Sequence, residues 1–118
     1  LSTFIWKNKN CLILICEDAW DIHSINYIKD KKIDYIFMPS NSPARGFRNN
    51  LEIEQKWLKI QKNISLISKA HTFFINRGGF EDGMGFWGGS KAMNGQAEIL
   101  DRLDLFEYGK LNLNIKEG

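Results

Sequence analysis

The sequence predicts an α/β fold with parallel strands, and three neighbouring segments carry that prediction. The apolar run Asn10–Cys16 is typical of a buried strand, Trp20–Lys32 has apolar residues at helical spacing, and Ile33–Met38 is a second strand-like run. Strand, helix and strand in this order form a βαβ unit, in which the two strands pair in parallel. With 118 residues, 43% of them hydrophobic and 25% charged, the chain has the composition of a globular protein and fits one domain at most.

Turn signals and periodicity predict the elements on either side of this unit. Asn8-Lys9-Asn10 predicts a hairpin near the start, and Asn94-Gly95 is the strongest hairpin signal of the chain. Pro39 is expected to stop the strand before it, and Asp18 or Asp21 to cap the first helix. The other predicted elements are the strands Phe4–Lys7, Thr72–Asn76, Ser90–Met93, Ala97–Arg102 and Lys110–Lys116 and the long helix Leu51–Ala70.

Charge and cysteine content exclude several classes of function. The 16 basic and 14 acidic side chains are interspersed, so no basic footprint for nucleic acid stands out. The longest apolar run, Leu12–Cys16, is far shorter than the ~20 residues that cross a bilayer, so no membrane partner is expected. Cys11 and Cys16 lie five apart on one predicted strand and are expected to point to opposite faces, which disfavours a disulfide or a shared metal. These features fit a reducing compartment, and we expect a cytoplasmic protein.

Cys16 is the candidate catalytic residue, because it follows a buried strand where the chain turns toward a helix. A cysteine in that place is held rigidly yet lies at the edge of the sheet, which suits a nucleophile. The alternative is a small buried side chain that ends a core strand, as most free cysteines do. Glu17 and Asp18 follow this cysteine, and their side chains have two equally good explanations. They belong to a catalytic site, or they are acids that the helix dipole favours at a helix amino terminus.

The loop Ser40–Asn50 is the candidate substrate-binding segment, since ligands of open α/β sheets bind at the carboxyl ends of strands. Asn41, Ser42 and Arg45 are the candidate contacts, with Arg45 suited to a carboxylate. Ordinary turn chemistry alone also explains Asn41 and Ser42, and the alternative role of Arg45 is to brace the loop. Trp20 is either a wall of the substrate pocket or a core residue.

A phosphate-binding loop and a metal site are both disfavoured. The glycines between Gly78 and Gly89 run into a strand-like segment instead of a helix, and no Gly-Lys-Ser or Gly-Lys-Thr ending is present. Tight turns explain this segment better. His23 and His71 lack ligand spacing, so no metal and no cofactor is expected.

Three motifs follow one another along the chain: Leu14–Trp20, Met38–Gly46, and Asn76–Gly83 together with Phe86–Ser90. In this order and at these distances, they resemble the carbon-nitrogen hydrolases of the nitrilase superfamily. The resemblance extends from about Phe4 to Ile115 and matches only the second half of that family's catalytic domain. Because the chain also opens on Leu1 with a strand-like segment, we expect residues 1–118 to be a partial domain whose amino-terminal portion is absent.

The resemblance implies a fold and a mechanism. The fold would be the C-terminal part of a four-layer αββα sandwich, in which sandwiches often pair, so a homo-oligomer is expected. The enzyme would hydrolyse an amide or nitrile through a Cys-Glu-Lys set, with Cys16 as nucleophile and the backbone N–H of Glu17 as an oxyanion donor. The family's general-base glutamate and its lysine lie in the first half of the fold, and no residue here matches them. The chain alone is therefore expected to be inactive.

Two further hypotheses compete with the hydrolase. One is a non-catalytic fragment or assembly module that keeps this part of the fold without its Glu and Lys partners. The other, a thiol redox protein, ranks last because a Cys-x-x-Cys motif is missing. Within the family, the Glu-Asp-Ala-Trp sequence after Cys16 looks closer to amidases and to the glutaminase part of glutamine-dependent NAD synthetases than to nitrilases.

Overall fold

The computed structural model of the chain describes residues 1–40, 47–76, 78–81, 84–87 and 89–102; for Cys16, 47–51, 78–81 and 84–87 it describes the backbone. Strands and helices alternate in the first two thirds and strands follow, as the sequence predicts for an α/β chain. The predicted strand Lys110–Lys116 lies outside the described residues. The elements are β1 (Phe4–Trp6), β2 (Lys9–Ile13), a 3-10 helix (Cys16–Ala19), α1 (Ile22–Lys29), β3 (Tyr35–Ser40), α2 (Phe47–Ser68), β4 (His71–Asn76), β5 (Gly78–Glu81), β6 (Met84–Trp87), β7 (Lys91–Met93) and β8 (Ile99–Arg102).

One mixed sheet organises the fold, with the strand order β1-β2-β3-β4-β7-β8. The central strands β2, β3 and β4 run parallel, which confirms the predicted βαβ unit. The outer pairs β1–β2, β4–β7 and β7–β8 are antiparallel. Strands β5 and β6, from the glycine-rich segment, form a separate antiparallel pair. These two strands were not predicted from the sequence.

The first hairpin turns at Lys7 and Asn8, one residue earlier than predicted. Both residues have positive φ angles, 49° and 64°, which is the backbone of the tight hairpin turns whose twist matches that of the strands. Asn tolerates this left-handed conformation well.

Pro39 does not stop its strand, so that prediction was wrong. β3 continues through Pro39 to Ser40, and the two residues pair with Ile75 and Asn76 of β4. Proline lacks an N–H, and its nitrogen faces the side of β2, which has already ended at Ile13. The missing donor therefore costs no ladder hydrogen bond.

Both helices begin at places that differ from the predicted ones. Asp21 caps α1, because its Oδ1 accepts a hydrogen bond of 2.9 Å from the N–H of His23, so the helix starts at Ile22 instead of Trp20. α2 starts at Phe47, inside the segment predicted as loop. No helix in the described ranges is both long and apolar enough to cross a membrane.

Both helices pack on one face of the sheet. Trp57 of α2 lies at the centre of this contact: its ring stacks on Phe74 of β4 at 4.8 Å and meets Trp20 edge-on at 5.4 Å. The buried side chains of this core include Leu12, Leu14, Ile28, Ile36, Met38, Trp57, Ile64 and Phe74.

A buried polar contact fixes α2 above the sheet. The Nε2 of Gln61 lies 3.0 Å from the carbonyl oxygen of Lys91, 3.3 Å from that of Thr72 and 3.2 Å from the Thr72 hydroxyl. One amide group therefore links the helix to β4 and β7 at once. Such a contact specifies the angle at which the helix lies, because the acceptors are fixed in the strands.

The opposite face of the sheet carries a row of rings, here called the aromatic face, made of Trp6, Tyr35, Phe37, His71 and Phe73. Adjacent rings contact each other across the strands, from Trp6–Tyr35 at 6.4 Å to Phe37–Phe73 at 5.2 Å. Ile13 and Ile75 extend it and remain 42% and 47% exposed. An apolar surface of this kind is typical of an interface. One helix layer and one sheet layer make up half of an αββα sandwich, which confirms the predicted fold class.

Replacing Trp57 with alanine should lower the free energy of unfolding by about 3–5 kcal/mol, the usual cost of removing a large buried ring. Leu66→Ala is the matched control on the same helix, since Leu66 is 57% exposed and Trp57 only 8%; its effect should stay within about 0.5 kcal/mol. Urea denaturation followed by circular dichroism measures both. Equal losses in the two variants would contradict this account of the core.

The isolated 118-residue chain should self-associate through the aromatic face. The double variant Ile13→Ser with Ile75→Ser should shift sedimentation velocity profiles toward the monomer and reduce binding of an apolar dye. Ile22→Ser is the control, because Ile22 is 63% exposed at the start of α1 on the other side of the sheet. A monomeric wild-type chain, or an equal effect of the control, would count against this surface.

Candidate active site

The candidate site lies at the sheet edge where the three parallel strands end. β2, β3 and β4 reach this edge at Ile13, Ser40 and Asn76, and the antiparallel β7 starts there at Lys91. Ligand sites of open α/β sheets lie at this kind of edge.

The backbone of Cys16 lies just beyond the end of β2. After Ile13 the chain stays beside β3 for one more residue, since the N–H of Leu14 donates to the carbonyl of Phe37 at 2.9 Å. Cys16 is then the first residue of the 3-10 helix and does not lie on the strand. The expectation that Cys11 and Cys16 share one strand was therefore wrong, and their spacing does not fix opposite faces.

Asp18 holds the turn that carries Cys16. Its Oδ2 accepts a hydrogen bond of 3.2 Å from the N–H of Ile15, and its own N–H donates to the Ile15 carbonyl at 3.1 Å. The two bonds close the chain around Cys16. Of the two explanations for this acid, the structure supports the capping of a helix start.

The backbone amide of Glu17 lies in the first turn of the 3-10 helix. Asp18 is the first residue whose N–H bonds back into the turn, so the amides of Cys16 and Glu17 have no acceptor within the helix. The side chain of Glu17 is exposed. A role of the Glu17 amide as an oxyanion donor stays a prediction.

Ser90 joins the ends of β4 and β7 at the same edge. Its hydroxyl accepts a hydrogen bond of 2.9 Å from the Asn76 N–H and donates one of 3.1 Å to the Asn76 carbonyl. Both backbone groups of Asn76 are thus bound by one buried side chain just before β7 begins. This contact takes the place of a strand pair and fixes where β4 ends.

Lys91 is buried on the helix side of the sheet. Its Nζ donates to the carbonyl of Gly89 at 3.0 Å and lies 3.7 Å from the carboxylate of Glu54 on α2. These partners hold the ammonium between β7 and α2. The sequence does not indicate this contact, because 37 residues of chain separate Glu54 from Lys91.

Trp20 packs on the helix layer. Its side chain is half-exposed and contacts the ring of Trp57 edge-on. The Nζ of Lys56 lies 4.9 Å from the centre of the Trp20 ring. It also borders an open cavity of about 660 Å³ along α2, together with Glu52, Gln55, Lys56, Lys59 and Ile60. Packing explains this position, and a role for Trp20 in substrate binding stays a prediction.

The remaining candidate residues are outside what the structure describes. Asn41, Ser42 and Arg45 belong to the segment 41–46, so their roles as substrate contacts stay predictions. In the described part of the chain, the acids, histidines and cysteines form no cluster of three suited to a metal ion.

Cys11 lies on β2, within the sheet, and its environment lowers its reactivity. It is fully buried. Burial raises the pKa of its thiol, and the nearby Asp34 carboxylate raises it further, against a smaller lowering by a backbone hydrogen bond at Trp6. A raised pKa leaves less thiolate, which is the reactive form.

The contacts of Ser90 and Lys91 are the features of this edge that the sequence missed. The Gly-Gly-Ser run before β7 was the available signal, since glycines permit a close approach of two chain segments. Pairing Ser90 with Asn76 requires knowing that β7 lies antiparallel to β4, which no local pattern reveals.

Solved structures with this fold come from several bacteria. A carbon-nitrogen hydrolase from Helicobacter pylori G27 superposes with a TM-score of 0.75 at 18% identity, over 86% of this chain and 39% of that one. A glutamine-dependent NAD+ synthetase from Acinetobacter baumannii, in complex with ADP, gives 0.69 at 21% identity, over 92% and 20%. A mutant amidase from Nesterenkonia sp. AN1, with the acetamide moiety of fluoroacetamide added covalently at its active-site cysteine, gives 0.69 at 14% identity, over 88% and 37%.

These similarities concern structure, at low sequence identity. No family model and no curated protein sequence matches the chain. The chain spans about two fifths of the hydrolase and the amidase and one fifth of the synthetase. The described residues have the fold of part of the nitrilase-superfamily carbon-nitrogen hydrolases, as the three sequence motifs predicted.

Proposed function

We propose that this chain is the nucleophile-bearing part of an enzyme that hydrolyses a non-peptide carbon-nitrogen bond, in an amide or a nitrile. One observation carries the proposal: Cys16 starts a short helix at the carboxyl edge of three parallel strands, in a fold shared with carbon-nitrogen hydrolases. The fold alone would not be enough, since one fold serves many functions. The residue and its place together favour this chemistry.

In the proposed reaction, the thiolate of Cys16 attacks the amide carbon. A carbon-sulfur bond forms, and the carbonyl oxygen takes the negative charge of the tetrahedral intermediate. The carbon-nitrogen bond then breaks and ammonia leaves with a proton from the general acid. Water attacks the resulting thioester, which releases the carboxylic acid and restores the thiol.

The backbone of the Cys16 turn supplies part of the required electrostatics. An amide N–H directed at the developing oxyanion stabilises the transition state, and losing one such donor typically costs ~3–4 kcal/mol in the barrier. Glu17 is our candidate, because its N–H has no acceptor within the 3-10 helix. Asp18 then acts as a positioning residue that keeps the turn closed.

We propose that the general base and the lysine come from outside residues 1–118, because no residue here matches that pair of the resembling family. A free thiol with a pKa near ~8.5 is mostly protonated at neutral pH, so a carboxylate has to take its proton. Glu17 is exposed, and Lys91 is held by Gly89 and Glu54 on the helix side of the sheet. We propose that a second sheet, packed on the aromatic face, brings both groups to Cys16.

An amide is the favoured substrate class. The hydrolase, the amidase and the glutamine-dependent synthetase above are proteins that share this fold, and the sequence after Cys16 looks closest to amidases and to such glutaminase parts. Trp20, Asn41, Ser42 and Arg45 remain the proposed substrate contacts. We propose a cytoplasmic homo-oligomer that acts on a small molecule.

The alternative is a non-catalytic module that keeps the sheet and lacks the chemistry. The aromatic face favours it as much as it favours an enzyme, because a sheet can pair without catalysing anything. Two measurements distinguish the enzyme from the non-catalytic module: the sequence of the reading frame upstream of Leu1, and the intact mass of the natural polypeptide. A strand-borne glutamate and a lysine upstream support the enzyme, whereas their absence from the polypeptide and from any partner supports the module.

Cys16→Ala in the natural polypeptide should reduce amide turnover by at least ~10³-fold, because it removes the nucleophile. Ammonia release from a panel of small amides, glutamine among them, measures this. Cys11→Ala is the matched control and should leave turnover within about threefold of the wild type, the effect of a modest structural change. Full activity of the Cys16 variant would disprove the assignment.

Iodoacetamide, whose iodide is displaced by a thiolate, should alkylate Cys16 of the natural polypeptide and spare Cys11. The buried Cys11 has a raised pKa, so its thiolate fraction at neutral pH is small and grows only as the pH rises toward that pKa. Peptide mapping by mass spectrometry, repeated at increasing pH, measures both sites. Preferential labelling of Cys11 at neutral pH would contradict the assigned environments.

Ser90→Ala should impair turnover by freeing the end of β4. Ser68→Ala is a close control, because the Ser68 hydroxyl also makes two hydrogen bonds, donating to Ile64 at 2.7 Å and accepting from Ala70 at 3.1 Å, at the far end of α2. Both variants should lose about 1–3 kcal/mol of stability. Only Ser90→Ala should lower kcat in the natural polypeptide, and equal kcat values for the two variants would exclude a positioning role.

A further inference from the structure

The turn between β7 and β8 contains the one Asn-Gly pair of the sequence, Asn94-Gly95. In such a pair the amide nitrogen of glycine attacks the Cγ of asparagine readily, because glycine has no side chain to obstruct the approach. Asparagine is for this reason among the thermolabile residues of proteins. The turn is therefore a place where the chain can modify itself.

Every polar group of the Asn94 side chain is bound within this turn. Its Oδ1 accepts the N–H groups of Gln96 and Glu98, each at 3.0 Å, and its Nδ2 donates to the Glu98 carboxylate at 3.0 Å. Its backbone is bound as well, since its N–H donates to the Glu98 carbonyl and its carbonyl accepts from Ala97, both at 3.1 Å. The side chain cannot reach the Gly95 nitrogen without breaking some of these bonds.

The backbone of Gly95 is also fixed, by the end of α2. A Cβ atom on Gly95 would lie 2.4 Å from the carbonyl oxygen of Lys69, so the turn sits directly against that carbonyl. Lys69 itself has a positive φ of 59°. The Gly95 backbone therefore lies in close contact with the residue that follows α2, which restricts its movement in that direction.

We propose that Asn94 is a conditional modification site, which the closed turn protects and which reacts when the β7–β8 turn opens. In the reaction the Gly95 nitrogen bonds to Cγ, the Cγ–Nδ2 bond breaks, and ammonia leaves with the proton from the Gly95 nitrogen. Water then opens the cyclic imide to aspartate or isoaspartate. No oxidant, metal or second protein is needed.

The product would prevent the turn from closing again. A carboxylate at position 94 removes the Nδ2 donor and places a second negative charge against Glu98, and like charges in contact repel. Isoaspartate also lengthens the backbone where Gly95 has no room against Lys69. Since β7 begins at Lys91, directly after Ser90 of the candidate site, one opening event would loosen that edge permanently.

Peptide mapping of residue 94 over days at neutral pH tests the proposal in the natural polypeptide. In the folded protein, conversion of Asn94 to aspartate and isoaspartate should be at least about tenfold slower than in urea, as expected for a site that reacts through local opening. A folded rate equal to or above the rate in urea would overturn the proposal.

Variants of Glu98 identify the protecting contact. Glu98→Ala removes the acceptor for Nδ2 and should raise the folded rate roughly three- to tenfold, the factor for one hydrogen bond. Glu98→Gln keeps an acceptor oxygen and should preserve most of the protection, while Gln96→Ala, which keeps the backbone bond, should match the wild type. If Glu98→Ala behaves like Gln96→Ala, the side-chain contact does not protect Asn94.

Discussion

The parallel register of β3 between β2 and β4 is the constraint on which the rest of the structure depends. Six consecutive pairs, from Tyr35 opposite His71 to Ser40 opposite Asn76, fix β3 against β4, and three pairs fix it against β2. This register places the ends of three strands at one edge of the sheet. At that edge the chain continues from β2 into the 3-10 helix that begins at Cys16. A slip by one residue would exchange the helix-covered face with the aromatic face, so burial specifies it strongly.

The sequence predicted most of the strands and both helices, because their signals are local. The apolar run before Cys16, the periodicity of α2 and the Asn94-Gly95 turn each lie within a few residues of the element they specify. The errors came from tertiary context. Pro39 stays in its strand because the neighbouring strand has already ended, and Cys16 leaves its strand because the Asp18 carboxylate closes a turn at Ile15.

The candidate site was only partly predictable in its construction. The local pattern of a cysteine that follows a buried strand and precedes two acids fits a nucleophile as well as a buried structural cysteine, and the assignment of Cys16 as nucleophile rests also on the resemblance and stays a prediction. The contact between Ser90 and Asn76 and the burial of Lys91 against Glu54 join residues 14 and 37 positions apart. Such contacts follow from how β4, β7 and α2 pack, which a single sequence does not encode in any short pattern.

The two faces of the sheet have different tasks in the proposed enzyme, in which residues of two packed sheets form one catalytic site. The helix-covered face contains the core that stabilises the chain. On the aromatic face, Ile13 and Ile75 are still partly exposed, and a second sheet packed there would bury them. In the proposed enzyme, the same event that buries this face also brings a base and a lysine to Cys16. Folding of the whole domain and assembly of its catalytic groups would then be one process.

The most direct test of this account is to trap the acyl-enzyme. The natural polypeptide would be mixed with an amide that it hydrolyses, quenched in acid within its first turnovers, and digested for mass spectrometry. We expect the acyl group as a thioester on Cys16, absent from the Cys16→Ala variant. Turnover without an adduct on Cys16, or an adduct on Cys11, would contradict the central claim that Cys16 is the nucleophile.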